Sequence, residues 1–123
     1  MQFSGLFVLV AVALVPSVLA QNFGASCNNI HLTGTGPSVS VQATCFLPNG
    51  TTKSSTLGLS SCLTNSGGSL RCARGGNAMQ SCSGCTLSGT SLRCNCGDGK
   101  GGNPSTTIDL NQCIANNNGN LGC

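Results

Sequence analysis

The second half of this chain repeats the first and keeps each of its cysteine positions. Cys27-Asn28-Asn29-Ile30-His31-Leu32-Thr33-Gly34 aligns with Cys82-Ser83-Gly84-Cys85-Thr86-Leu87-Ser88-Gly89. After a loop that is shorter in the second copy, Cys45 aligns with Cys96. Ser55-Thr56-Leu57-Gly58-Leu59-Ser60-Ser61-Cys62-Leu63-Thr64-Asn65 then matches Thr106-Thr107-Ile108-Asp109-Leu110-Asn111-Gln112-Cys113-Ile114-Ala115-Asn116. Both copies close alike, on Gly68-Ser69-Leu70-Arg71-Cys72 and Gly119-Asn120-Leu121-Gly122-Cys123. A chain written this way folds as two related units that bury one face together. The repeats are taken as residues 23–72 and 78–123 of a single domain covering 21–123.

The ten cysteines set the second constraint. Cysteine on this scale, in a chain this short, is the composition of a disulfide scaffold made in an oxidising compartment. Four positions coincide between the copies, leaving Cys85 and Cys94 over. Pairing equivalents within each copy predicts Cys27–Cys45, Cys62–Cys72, Cys82–Cys96 and Cys113–Cys123, with Cys85–Cys94 stapling the first hairpin of the second copy. This pairing follows from symmetry, since spacing alone does not determine connectivity. The Cys82-x-x-Cys85 and Cys94-x-Cys96 spacings could also mimic a zinc cage, but export and the pairing with first-copy equivalents favour disulfides.

The local patterns read as β. Val39 to Cys45 alternates small apolar with polar residues, as a half-buried strand does, and Ser54–Leu59 and Ser105–Leu110 do the same. Ser60 and Asn111 follow as candidate caps of a short helical turn whose apolar members are Leu63 and Ile114. Asn, Gly and Ser runs turn the chain into a last strand. No ten-residue helical pattern occurs, which excludes a βαβ architecture.

Residues Ser4 to Ala20 are apolar and uncharged, and Val18-Leu19-Ala20 reads as a cleavage site; residues 1–20 are therefore expected to be a signal peptide. A retained anchor is the alternative reading of that segment. No second apolar stretch offers a membrane span in the mature chain. Asn49-Gly50-Thr51 is the one usable glycosylation sequon, because proline blocks Asn103-Pro104-Ser105. Past residue 20 the aromatics are Phe23 and Phe46 alone. The core must come from Leu, Ile, Val, Ala and half-cystines, which leaves little margin over conformational entropy. Each bridge closing a loop of ten to twenty residues should add roughly 3 kcal/mol. The net charge of +3 is too small and too scattered for a nucleic-acid partner.

At these residues the chain resembles the cyanovirin-N homology domain family. Phe23, Cys27, Leu32, Gly34 and Cys45 carry the first part of that family's pattern. Thr107-Ile108-Asp109-Leu110-Asn111, Ile114, Asn116, Gly119 and Leu121 carry the second nearly unchanged. The first copy departs from it, with Thr56-Leu57-Gly58-Leu59-Ser60 lacking the Asp and Asn. The resemblance implies an all-β, pseudo-symmetric fold whose halves exchange hairpins. It also implies a lectin for mannose-rich glycans with up to two sites at opposite ends, and no metal or cofactor. By resemblance, site 1 gathers Thr64, Asn65, Ser66 and Gly67, then Gly76, Asn77, Gln80 and Ser81, then the loop after Cys96 with Asp98 and Lys100. Site 2 gathers Asn22, Ala25, Ser26, Phe46, Asn116, Asn117 and Asn118. In site 2, Ala25 and Phe46 stand where polar groups would be expected to meet a sugar. In site 1, Gly67 replaces an acid and Gln80 a carboxylate. Site 1 keeps more donors and acceptors and is the favoured one.

The chemistry agrees with that choice. Sugar hydroxyls both donate and accept, so a sugar site needs amides, hydroxyls, a carboxylate or bare backbone at a loop rim. Asn65, Asn77, Gln80, Asp98 and Asn116–Asn118 supply them, and Gly97, Gly99, Gly101 and Gly102 allow close backbone approach. Without Trp or Tyr, binding rests on hydrogen bonds worth about 1 kcal/mol each, so single-site affinity is weak. Enzyme chemistry fares poorly. His31 is the only histidine and has no Ser–Asp partners in view. Asp98 and Asp109 are the only acids, and Asp109 lies on a strand. The alternative from another class is a disulfide-hardened secreted protein that kept the fold, lost sugar binding, and serves as a protein-interaction or surface factor.

Overall fold

The computed structural model describes residues 21–123; the expected signal peptide at 1–20 lies outside the described residues. In chain order the strands are β1 (Cys27–Thr33), β2 (Ser40–Phe46), β3 (Thr52–Gly58), β4 (Leu63–Ser66), β5 (Ser69–Cys72), β6 (Cys82–Ser88), β7 (Ser91–Cys96), β8 (Ser105–Asp109), β9 (Ala115–Asn117) and β10 (Asn120–Gly122). They form two three-stranded antiparallel sheets, β1-β2-β3 and β6-β7-β8, and two hairpins, β4-β5 and β9-β10. The alternation seen in the sequence sets the inner faces. Val41, Ala43 and Cys45 of β2 are buried and alternate with less buried residues, and Leu92, Cys94 and Cys96 do the same in β7.

The hairpins cross between the repeats. The first repeat's β5 packs against β8, and the second repeat's β10 packs against β3. One hydrogen bond marks each crossing. The Leu70 amide donates to Thr106 Oγ1 at 3.1 Å, and its repeat equivalent, the Leu121 amide, donates to Ser55 Oγ at 2.9 Å. Each half of the molecule is thus a sheet from one copy closed by a hairpin from the other. A single core runs through both, built on Phe23, Leu59, Leu63, Leu92, Leu110 and Ile114 together with buried half-cystines.

All ten cysteines are paired. Cys27–Cys45, Cys82–Cys96 and Cys85–Cys94 each link neighbouring strands of a sheet. The expected Cys62–Cys72 and Cys113–Cys123 bridges are replaced by Cys62–Cys123 and Cys72–Cys113. The reason is register. In β4-β5 it is Leu63 that faces Cys72, leaving Cys62 one residue out of step. In β9-β10 Ala115 faces Gly122, which leaves Cys113 out of step with Cys123 in the same way. The crossed bridges obey the repeat symmetry as well as the expected ones did, since each maps onto the other when the copies are exchanged. Symmetry alone could not choose between them.

The capping roles also change. Short 3-10 turns form at Leu59–Ser61 and Leu110–Gln112, and their buried members are Leu59 and Leu110. Leu63 and Ile114 are buried just beyond the turns. Ser60 and Asn111 sit inside the turns rather than before them, and each reaches across to the other copy. Ser60 Oγ accepts from the Met79 amide at 3.0 Å, and Asn111 Oδ1 accepts from the Gly24 amide at 2.8 Å. The carboxylate of Asp109 caps the second turn, accepting from the Asn111 amide at 3.0 Å.

Candidate functional site: two loop clusters, one in each half

Site 1 is assembled around Asn65. Its Nδ2 donates to Ser81 Oγ and to the Gly97 carbonyl, both at 2.8 Å, and its Oδ1 accepts from the Gly68 amide at 2.8 Å. One side chain therefore pins β4, the turn before β6 and the loop after β7 to one another. The Gly97 amide closes the same junction by donating to the Ser81 carbonyl at 2.8 Å. Thr64 bridges to Asn77 across the backbone. Gly76 must be glycine, because a Cβ there would collide with the Leu63 carbonyl oxygen and lie 2.7 Å from Thr64 Cβ.

The rim is the loop 97–102. Asp98 Oδ1 accepts from the Lys100 amide at 2.7 Å and the Gly102 amide at 3.0 Å, while the Asp98 amide donates to the Gly102 carbonyl at 3.0 Å. The loop is thereby shaped from within, and Asp98 Oδ2 carries no hydrogen bond among the described residues. Asn77 is held at φ 60° at the start of the 3-10 turn Ala78–Gln80, with its side chain exposed. The side chains of Ser66, Asn77, Gln80 and Lys100 are exposed and make no hydrogen bond among the described residues. Of the expected site 1 residues, then, Asn65 and Ser81 are committed to holding loops, while Asn77, Gln80, Ser66, Lys100 and half of Asp98 face outward with capacity to spare.

Site 2 repeats the construction. Asn116 Nδ2 donates to Ser26 Oγ at 3.0 Å and to the Phe46 carbonyl at 2.9 Å, and its Oδ1 accepts from the Gly119 amide at 2.8 Å. Asn22 occupies the left-handed conformation of Asn77, and Asn117 and Asn118 are exposed. The lining differs. Where site 1 has Gly97, Asp98 and Pro104, site 2 has Phe46, Leu47 and Lys53. Phe46 is 48 % exposed, the one large apolar side chain so exposed among the described residues. Leu47 and the Lys53 stem crowd Gly119, and Lys53 Nζ donates to Asn120 Oδ1 at 2.8 Å.

The sequence reading missed Gly68, Gly119 and Lys53 as parts of these loop clusters; it placed Gly97 and Phe46 there, but not as the carbonyls that accept from Asn65 and Asn116. The signal for the glycines was present, since Asn65 and Gly68 share their spacing with Asn116 and Gly119. A surface depression of about 370 Å³ lies elsewhere, over the crossed bridges and Arg74. No group of three or more His, Cys, Asp or Glu among the described residues could hold a metal, and no helix there is long and apolar enough to cross a membrane.

Residues 17–122 match the CVNH domain. The chain belongs to the CVNH domain family. Solved CVNH structures share its architecture. The T. borchii CVNH is 31% identical with a TM-score of 0.68, covering 82% of this chain and 97% of that one. The Gibberella zeae CVNH is 29% identical with a TM-score of 0.69, covering 82% and 95%. Microvirin, solved in complex with mannobiose, is 29% identical with a TM-score of 0.64, covering 83% and 97%. No curated protein matches the chain.

Proposed function

We propose that this CVNH domain is a secreted lectin that binds mannose-rich glycans through site 1. The observation that carries the reading is a division of labour within one cleft. Asn65 and Asp98 Oδ1 hold the loops in place, so the outward amides of Asn77 and Gln80, the Ser66 hydroxyl, Lys100 and Asp98 Oδ2 are presented on a pre-shaped rim. Preorganised polar groups of both signs are what a sugar diol requires, because little ordering entropy is left to offset weak hydrogen bonds. The mannobiose bound by microvirin supports the choice of ligand. Export belongs to the same reading: residues 1–20 act as a leader cleaved before Gln21, and five disulfides suit an oxidising compartment.

An amide NMR titration of oxidised 21–123 with α-linked mannobiose tests it. Saturable shifts at Asn77, Gln80 and Gly97–Gly102 are expected. Shifts confined to Asn116–Asn118 would move the lectin activity to site 2. No shifts at millimolar sugar would hand the fold to the hardened-scaffold reading. N-terminal sequencing of the secreted chain checks cleavage, with Gln21 as the expected first residue.

A further inference from the structure

Site 2 contains a feature that site 1 lacks. The loop between β2 and β3 is the repeat equivalent of the 97–102 rim, and the same backbone bond closes it, the Leu47 amide donating to the Thr51 carbonyl at 2.8 Å. At the position equivalent to Lys100 stands Asn49, the acceptor of the sequon Asn49-Gly50-Thr51. Asn49 and Thr51 are both exposed, and Asn49 Oδ1 accepts from the Thr51 amide at 3.0 Å and from Thr51 Oγ1 at 2.6 Å. The amide to be modified and the hydroxyl that defines the sequon thus already face each other at an exposed loop tip. Three residues upstream is Phe46, whose carbonyl accepts from Asn116 at the centre of site 2 and whose ring is exposed.

From this placement we infer that Asn49 carries an N-linked glycan that folds over site 2 and closes it, leaving site 1 as the one open end. The bond formed joins Asn49 Nδ2 to the anomeric carbon of N-acetylglucosamine, with a lipid-linked oligosaccharide of the secretory pathway as donor; its pyrophosphate leaves and the amide proton is lost. Two properties of the site hold the glycan down. The exposed Phe46 ring offers an apolar shelf to the C–H face of a pyranose, and the exposed amides of Asn117 and Asn118 offer partners to its hydroxyls. Tethering supplies the rest. A ligand on a short flexible linker is present at roughly millimolar effective concentration, enough to occupy a weak site that free glycan at lower concentration would leave empty. Site 1 has Lys100 at the equivalent position and escapes this.

The inference rests on the proposed export, and for its binding arm on the proposed lectin activity. The test uses the full chain secreted from yeast, beside Thr51→Ala and Asn49→Gln and beside the parent trimmed enzymatically to one N-acetylglucosamine. Intact mass should show a single N-glycan in the parent and none in either variant. Hydroxyl-radical footprinting, with no sugar added, should show Phe46 oxidised several-fold more slowly in the glycosylated parent than in the trimmed protein and the variants. An unmodified Asn49 in the secreted chain, or equal Phe46 oxidation in all forms, overturns the inference. Adding mannobiose then separates the two readings. Shifts at site 1 in every form, with shifts at Asn116–Asn118 only when the glycan is absent, support both. Failure of site 1 to respond removes the lectin assignment while leaving the footprint to decide whether the glycan covers site 2.

Discussion

Asn65 and Asn116 do the same work in the two halves of the molecule, and each is more a fastener than a ligand. Both amide hydrogens of Asn65 are used within the protein, so truncation leaves the Gly97 carbonyl and the Gly68 amide unpaired. Asn65→Ala is expected to destabilise the fold by about 2 kcal/mol, read as a lower urea midpoint at unchanged m. Asn77 should behave in the opposite way. Its left-handed backbone is preserved by glycine, so Asn77→Gly combined with Gln80→Ala should keep stability within about 0.5 kcal/mol. The same pair should weaken mannobiose binding roughly tenfold, the equivalent of one to two lost hydrogen bonds, as measured by the NMR titration. The sequence supplied the residue types at site 1 but not this split of roles. Composition reveals that an amide is present, and only the register of β4 against the 97–102 loop decides whether it is already spent.

At the scale of elements, the strands were legible because alternation survives in a light core. Residues 40–46 and 105–109 follow the polar–apolar pattern that marked them. The bridges at the hairpin ends were not, because two pairings satisfy the repeat equally and the deciding fact is a one-residue offset at Leu63 and Cys72. The crossed pairing is directly measurable. Trypsin cutting after Lys53, Arg71, Arg74 and Lys100 places Cys62, Cys72 and the Cys113–Cys123 pair on three separate peptides. Without reductant these should run as one three-peptide species; a joined 54–71 and 72–74 pair apart from 101–123 would restore the within-copy bridges. The energetics also favour attention to this pair. Closing 61 residues, as Cys62–Cys123 does, restricts the unfolded chain by about 4 kcal/mol, against about 2.5 kcal/mol for the 9-residue separation of Cys85–Cys94. Cys62→Ser with Cys123→Ser should accordingly lower stability more than Cys85→Ser with Cys94→Ser, as compared by thermal unfolding.

On the scale of the whole molecule, neither repeat owns a complete core. Residues 21–72 lack the hairpin that closes their sheet, since that hairpin is 115–122. The fragment 21–76 is expected to show the narrow amide dispersion of an unfolded chain, with dispersion appearing only in the full domain. The repeat was plain in the sequence, whereas the crossing of hairpins came from the family resemblance, because self-alignment says which segments are alike and not which lie together.

The crossed bridges have a mechanical consequence. A load applied between the half that carries the 97–102 loop and the half that carries the 47–51 loop must pass through the seam between them. Hydrogen-bonded hairpins there would peel one bond at a time. Cys62–Cys123 and Cys72–Cys113 instead place two covalent links in parallel across that seam, so pulling the halves apart is expected to require a reductant as well as force.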